Sequence, residues 1–472
     1  MRPAALTLAA FLAAGVAHGA GTLAVTNVTL IDVEDGRSRP AQTVLIEGDR
    51  ILEVAESSQV TVPRGATVVD GTGRFLLPGF WDMHVHSHRQ HRWTYHYPLF
   101  VAHGVTGVRD AGTHLASALE LMPAHALTAT APTVIWGSPP LDGPTPVLSF
   151  ALALETAAAA DGIVRLLQGS GFDFVKTYDR LSRDSYHALA SAADRAGLRI
   201  EGHVPLAMSP AEVVAAGHDL IDHLTLVVES CTPGALEHVH EMVAAEPAAA
   251  DSMEILMDPS LERLLEGYDA NACRSLFELF AERDVWQVPT LVQLRGFVLP
   301  EQARRMTAAR AKETTPALLA DWETAAADSD KARLAAGAAV YRRQLAALRS
   351  MQNAGVRLLV GTDASSEPWV FAGSSVHDEM ALFVEAGLRP LEALQAATLA
   401  PLQYAGRARS GRAIASGEIA DLVLLDADPR IDIDNTRKIR AVVLRGRLLD
   451  RDALDALLDQ GRVAASQNGS SR

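Results

Sequence analysis

The sequence predicts an α/β fold, a (β/α)8 barrel flanked by two β-rich chain ends. Residues 76–405 alternate short apolar runs with Ala-, Leu-, Glu- and Arg-rich helical stretches. Parallel strands with crossover helices produce that alternation. Residues 21–75 and 406–460 instead show strand-like runs separated by turns, without a helical period. The two ends are therefore expected to pair into one small domain, and residues 461–472 to form a disordered tail.

The first 20 residues have the anatomy of a secretory signal peptide. Arg2 supplies the positive start, residues 4–16 are apolar, and Ala17-His18-Gly19 precede a cleavage position before Ala20. No later segment offers about 18 uninterrupted apolar residues, so no membrane contact is expected after signal removal. The sequence thus predicts a secreted or periplasmic protein.

The strand-like runs at the two ends are short and bounded by glycine-containing turns. In the N-terminal part they are expected at 23–33, 43–46, 51–54 and 67–69, and in the C-terminal part at 420–426, 439–444 and 447–449.

Eight strands are expected in the central part: 76–86, 104–110, 133–137, 173–178, 199–204, 220–224, 285–292 and 357–363. Eight β-then-α units close into a barrel whose catalytic groups lie at the C-terminal ends of the strands. Polar residues should therefore cluster at those ends.

The first predicted strand ends in His84-Val85-His86. Alternate side chains of a strand point to the same face, so the two imidazoles are presented together, as a metal ion requires. Taken alone, the pair is also compatible with two surface histidines.

Four further strand ends carry potential ligands: Lys176, His203, His223 and Asp363. A buried lysine or histidine is costly unless it is paired or coordinated. Each one singly would be explained as a satisfied core residue or a helix cap. Together with the histidine pair, they predict a metal site.

The chain has 472 residues and a formal net charge of −15, which argues against a nucleic-acid partner. A small-molecule substrate is expected, and a homo-oligomer remains open. The two cysteines, Cys231 and Cys273, are spaced wrongly for a cysteine-rich metal site. Whether they form a disulfide is also left open.

The motifs resemble the amidohydrolase superfamily, and within it the imidazolonepropionase-like and prolidase-like branch. The resemblance covers nearly the whole mature chain and rests on these segments: 78–86, 104–110, Lys176, 202–205, Asp222-His223, 361–363 and 417–423. It implies a metal-bearing (β/α)8 barrel with a small β-sandwich built from both chain ends.

The resemblance also implies a binuclear centre with these ligands: His84, His86 and Asp363 for one ion, His203 and His223 for the other, and a carbamate on Lys176 bridging both. Zinc is the ion that suits imidazole and carboxylate ligands. A lysine cannot ligate as an ammonium, whereas a carbamate offers two oxygens and a negative charge.

The activity implied is hydrolysis of a C–N amide bond in a dipeptide or N-acyl amino acid by a metal-bridging hydroxide. Asp363 would take the proton and pass it to the leaving amine. A lactone, cyclic imide or phosphotriester is an alternative substrate, and a non-catalytic metal-binding protein is a further alternative. A mononuclear deaminase would leave Lys176 without a role.

Substrate contacts are predicted from position. Tyr178 lies two residues beyond Lys176 and is expected to face the same pocket. His88 and Arg89 lie in the loop after the first strand, where they would hold a carboxylate; the alternative for this loop is a solvated lid. The segment 137–146 contains four prolines and is expected to be a rigid rim. It departs from the Gly-Gly-His loop of dipeptidase-like members, which leaves the substrate open.

Overall fold

The structure is a computed structural model that describes residues 21–88, 92–125, 128–269, 271–364, 367–408 and 411–468. The predicted signal peptide, 1–20, lies outside the described residues. Within the described ranges, none of the helices has the length and apolar character needed to cross a membrane.

The strands, in chain order, are β1 (Leu23–Ile31), β2 (Ser38–Glu47), β3 (Arg50–Glu56), β4 (Thr67–Asp70), β5 (Phe75–Pro78), β6 (Phe80–Val85), β7 (Val105–Asp110), β8 (Thr133–Trp136), β9 (Leu141–Asp142), β10 (Leu152–Ala153), β11 (Phe174–Thr177), β12 (Arg199–Gly202), β13 (Leu220–Asp222), β14 (Trp286–Val288), β15 (Leu422–Leu425), β16 (Ile439–Leu444) and β17 (Arg447–Leu449).

The helices are α1 (Trp93–Ala102), α2 (Leu115–His125), α3 (Ala160–Gly169), α4 (Arg183–Ala196), α5 (Pro210–Ala215), α6 (Val227–Ser230), α7 (Ala235–Ala245), α8 (Ser252–Leu256), α9 (Pro259–Leu265), α10 (Arg274–Glu282), α11 (Leu291–Val298), α12 (Pro300–Thr307), α13 (Pro316–Ala327), α14 (Lys331–Asn353), α15 (Ser374–Glu385), α16 (Pro390–Ala397), α17 (Leu399–Tyr404) and α18 (Arg451–Asn468). Short 3-10 helices lie at Ala157–Ala159, Ala308–Glu313 and Ile433–Arg437.

The two chain ends share one sheet. Its order is β17-β16-β15-β5-β1-β2-β3, with β4 paired to β1. The junction is the antiparallel pair of β15 with β5, in which Leu422 lies opposite Pro78. Val28, Leu76 and Leu422 are fully buried in the core of this sheet. The pairing of the ends is thereby confirmed, whereas a sandwich of two packed sheets stays a prediction.

The central part has a TIM-barrel-like α/β arrangement of parallel strands and helices. The strands form a three-stranded sheet, β6-β7-β8, and a six-stranded sheet, β10-β9-β11-β12-β13-β14. Single parallel bridges join Gly137 to Phe174, Gln287 to Leu358 and Val85 to Ala364. Because these links are isolated bridges, the described strands do not form one continuous eight-stranded sheet, and the closed barrel stays a prediction.

Three of the predicted strands differ most in the structure. The run 285–292 forms a strand only at Trp286–Val288, and helix α11 begins at Leu291. The run 76–86 is interrupted at Gly79, whose N–H donates to Asp421 O at 2.8 Å. A Cβ there would lie 2.1 Å from the Thr106 hydroxyl, so only glycine allows this approach. As a result, β5 belongs to the sheet formed by the two chain ends, and β6 belongs to the central part. The run 357–363 forms no extended strand. It contains one bridge, between Leu358 and Gln287, and a second bridge follows between Ala364 and Val85.

The C-terminal tail is not disordered where it is described. Helix α18 continues to Asn468, past the predicted boundary at 461. Leu454, Gly461 and Ala465 are buried on one face of this helix, at helical spacing. A Cβ at Gly461 would lie 2.7 Å from Leu99, so this face packs closely against α1. The expectation of a disordered tail was wrong for 461–468.

Cys231 and Cys273 form a disulfide, with their Cα atoms 4.8 Å apart. The bond links the end of α6 to the start of α10. It settles the question that the cysteine spacing left open.

Candidate metal centre

Three predicted ligands meet at one point. His86 Nε2 lies 3.2 Å and His84 Nε2 3.5 Å from Asp363 Oδ1, and the two Nε2 atoms are 3.3 Å apart. Asp363 Oδ1 is buried and has no hydrogen-bond partner among the described residues. Unsatisfied buried oxygens are rare in folded proteins. The three ligand atoms therefore fit a shared cation.

The backbone brings these ligands together from distant segments. His84 is fully buried in β6, and His86 follows two residues later on the same side. Asp363 has a left-handed backbone (φ +61°), and its N–H donates to His84 O at 2.7 Å. A Cβ at Gly361 would lie 2.9 Å from His84 Cβ, so a glycine is needed for this close approach. Left-handed backbone at a non-glycine residue is common at functional sites.

The ring nitrogens that face away from the cluster lie beside protein oxygens. His86 Nδ1 donates to Gly112 O at 2.8 Å. His84 Nδ1 lies 2.9 Å from Asp222 Oδ1 in an ion-pair contact. Donation from Nδ1 leaves Nε2 of His86 with a free lone pair, the arrangement found in metal-ligating histidines.

His203 and His223 lie beside this cluster. The ring centroid of His223 is 4.5 Å from that of His84 and 4.9 Å from that of His203. His203 Nδ1 lies 2.7 Å from Asp179 Oδ1, and His223 Nδ1 lies 2.6 Å from Thr290 Oγ1. The second predicted pair of ligands therefore lies beside the first three. In both rings Nδ1 is hydrogen-bonded to a protein oxygen, which leaves Nε2 free for a metal ion.

Lys176 is buried on β11 and lines the same cavity as His86, His203 and His223. Its Nζ lies 2.5 Å from Asp222 Oδ2. Burial lowers the pKa of Lys176 below its ordinary value, although Asp222 opposes the shift. A depressed pKa favours the neutral amine, which is the form that can take up carbon dioxide.

The surroundings of these side chains also favour the protonation states that can bind a metal ion. Burial lowers the pKa of His84 to about 4 and that of His223 well below its usual value. Burial would raise the pKa of Asp363, but the neighbouring imidazoles outweigh it and leave that pKa below its ordinary value. Neutral imidazoles and an ionised carboxylate are the forms that bind a divalent ion.

A cavity of about 1160 Å³, including its open mouth, lies over these residues. Tyr178 lines it and stacks on His203, with ring centroids 4.2 Å apart. This position agrees with the predicted pocket-facing role of Tyr178.

The structure does not bring His88 to this cavity. His88 is buried, with Nδ1 2.6 Å from Asp110 Oδ2 and Nε2 2.5 Å from the Tyr97 hydroxyl. Both ring nitrogens are thus occupied by protein partners, so the predicted substrate contact of His88 is wrong in this structure. Arg89 lies outside the described residues.

Sequence reasoning missed the partners Asp179 and Thr290 and the role of Asp222, which it named only as part of a motif. Asp179 and Thr290 orient His203 and His223, and Asp222 contacts both His84 and Lys176. Asp179 directly follows the predicted fourth strand, and Asp222 lies in the predicted sixth. Those positions were the available signal, since polar residues were expected at strand ends.

Comparison with known proteins agrees with this geometry. Residues 289–449 match the family described as "Amidohydrolase family". The solved structure of a bottromycin amidohydrolase superposes with a TM-score of 0.73 at 25% sequence identity, over 94% of this chain and 90% of that one. Both matches support the resemblance to the amidohydrolase superfamily that the motifs indicate.

A solved prolidase-like structure shares the fold of this chain, and a curated deaminase shares part of its sequence. A putative prolidase from Bifidobacterium longum has a TM-score of 0.66 at 20% identity, covering 94% of this chain and 99% of that one. An adenine deaminase from Rubrobacter xylanophilus is 30% identical over 196 residues, which are 39% of this chain and 32% of that protein. The matched region thus spans about a third of the curated relative.

Proposed function

We propose that this protein is a metal-dependent hydrolase that cleaves a C–N amide bond in a small molecule, with two divalent ions at its centre. The observation that carries the proposal is the convergence of five predicted ligands beside one cavity, with Asp363 Oδ1 unsatisfied. Zinc suits these ligands, and a carbamate on Lys176 would complete the set.

Bound divalent ions would supply an acidified water and stabilise negative charge on the carbonyl oxygen. The residues of the chain position the ligands and move the proton. Asp179 and Thr290 hold the rings of His203 and His223 in position. The ionised Asp363 carboxylate can accept a proton and deliver it to the leaving amine. Tyr178 forms one wall of the cavity beside His203.

Amide hydrolysis of a dipeptide or N-acyl amino acid is supported by the prolidase-like fold. Deamination of a heterocycle is a second candidate, because the sequence match to an adenine deaminase favours it. Assays of the metal-loaded enzyme against dipeptides, N-acyl amino acids and adenine discriminate these activities. Release of ammonia from adenine without hydrolysis of any amide would contradict the proposal.

The metal content tests the binuclear proposal directly. We expect elemental analysis to find about two divalent ions per chain. His84→Ala and His203→Ala should each lower the content by about one ion, since they remove a ligand from different ions. His187→Ala, an exposed histidine on α4, is the matched control and should retain both ions. A fully active enzyme with no more than one ion would overturn the proposal.

We also propose a secreted or periplasmic location. The proposal is based on the signal-peptide-like segment 1–20. The Cys231–Cys273 disulfide supports the same location, because disulfides persist in oxidising compartments. Mass spectrometry of the exported protein should find a mature N-terminus near Ala20 or Gly21. A cytoplasmic protein that retains Met1 would refute this location.

A further inference from the structure

The cavity over the metal centre has an uneven charge distribution. Among the described residues that line it, the only lysine or arginine is Lys176, which is already paired with Asp222. Three acidic residues line it apart from Asp363: Glu229, Asp251 and Glu367. A substrate carboxylate would therefore meet negative charge and no free cation in the described part of the cavity.

Glu229 differs from the other acids in its environment. It lies on the short helix α6, is 5% exposed, and lines the cavity. Apart from its own backbone N–H, no described residue donates a hydrogen bond to its carboxylate or forms an ion pair with it. Asp251, by contrast, caps α8 by accepting from Met253 N–H and Glu254 N–H.

A second unsatisfied acceptor lies on the neighbouring helix α14. Gln344 is 2% exposed and lines the cavity, and its Nε2 donates to His223 O at 3.0 Å. That donation fixes the orientation of the amide, so Oε1 is the free acceptor, and it has no partner among the described residues. Buried acceptors without donors cost free energy, which a ligand that donates hydrogen bonds would recover.

The remaining wall is largely apolar, with side chains such as Leu226, Ile255, Leu294 and Phe297. Burial raises the pKa of Glu229 to about 7, as expected for a carboxyl group held in such surroundings without a cation. A bound ammonium would supply the missing positive charge and an N–H donor for the Glu229 carboxylate.

We propose that Glu229 forms a cation subsite, so that the substrate is a hydrophobic amide that carries an ammonium group. This inference rests on the proposed hydrolase function and narrows its substrate class. It favours dipeptides, which carry a free amino group, over N-acyl amino acids, in which that amine is acylated.

Binding of simple probes tests the subsite without catalysis. Calorimetric titration of the metal-loaded protein with hexylammonium and with hexan-1-ol compares a cation with a neutral molecule of the same size. We expect hexylammonium to bind the wild type at least about tenfold more tightly, and Glu229→Gln to abolish that preference. Glu237→Gln removes an exposed acid on α7 and should keep the preference.

Variant folding is checked by melting temperature, and Glu229→Met provides a second neutral side chain. If hexylammonium binds Glu229→Gln and Glu229→Met as tightly as it binds the wild type, the amine is held elsewhere and the proposal is wrong.

Hydrolysis adds a second readout. A series of ω-aminoacyl anilides is compared with alkanoyl anilides of equal chain length. For at least one length, kcat/KM should favour the amine by about tenfold or more in the wild type and not in Glu229→Gln. Equal kcat/KM for both series would overturn the subsite. If neither series is hydrolysed while calorimetry still shows Glu229-dependent binding, the hydrolase proposal fails and the subsite stands.

Discussion

Asp363→Asn is expected to lower kcat by at least about 100-fold while most of the metal remains bound, since this is the usual scale of general acid–base catalysis. Asparagine keeps one coordinating oxygen and the shape of the side chain, but it cannot carry a proton. The backbone should stay in place, because the N–H of residue 363 is held by His84 O. His84 and His86 still provide two ligands to the same ion.

The measurement combines steady-state kinetics with elemental analysis of the same preparation. Asp321→Asn, an exposed aspartate on α13, is the matched control and should keep both kcat and metal. Near-normal turnover of Asp363→Asn with full metal content would show that another residue moves the proton.

Lys176→Ala is expected to lower kcat by about 100-fold or more and to lower the metal content from about two ions per chain. The residue is buried, lines the same cavity as His86 and His203, and contacts Asp222. In the proposed centre its removal leaves no bridging group, and even the loss of a residue next to metal ligands typically costs about 10- to 100-fold in metal affinity or activity. Kinetics and elemental analysis measure both effects, with Lys438→Ala, an exposed lysine, as the control.

Chemical rescue separates a bridging role for Lys176 from a purely structural one. Short carboxylic acids should partly restore metal and activity to Lys176→Ala, because they supply the same pair of oxygens as a carbamate. Bicarbonate should likewise assist reconstitution of the metal-free wild type. Wild-type kcat and metal content in Lys176→Ala would show that the lysine is not part of the centre.

The fold was predictable where local periodicity dominates. The end strands β16 and β17 have the predicted limits, and the central alternation of strands and helices is observed. The break at Gly79 was not predictable, because it depends on Asp421 and Thr106, which approach from distant parts of the chain. Helix α18 was missed for a related reason: its buried face is stabilised by α1 rather than by its own sequence alone.

The sequence by itself predicted which residues meet in the candidate metal centre. His84 and His86 follow from the two-residue repeat of a strand, and Lys176, His203 and His223 from the rule that barrel-like folds gather their functional groups at strand ends. These inferences need only local patterns and the order of strands along the chain.

Only the tertiary structure decided how these side chains are oriented and which residues line their cavity. Asp222 reaches Lys176 across 46 residues of sequence, and Thr290 reaches His223 across 67. The left-handed backbone at Asp363 depends on packing against β6, and the unpaired Glu229 is recognised only by the lack of a described partner around it. Such contacts depend on distances between remote segments, which no local pattern encodes.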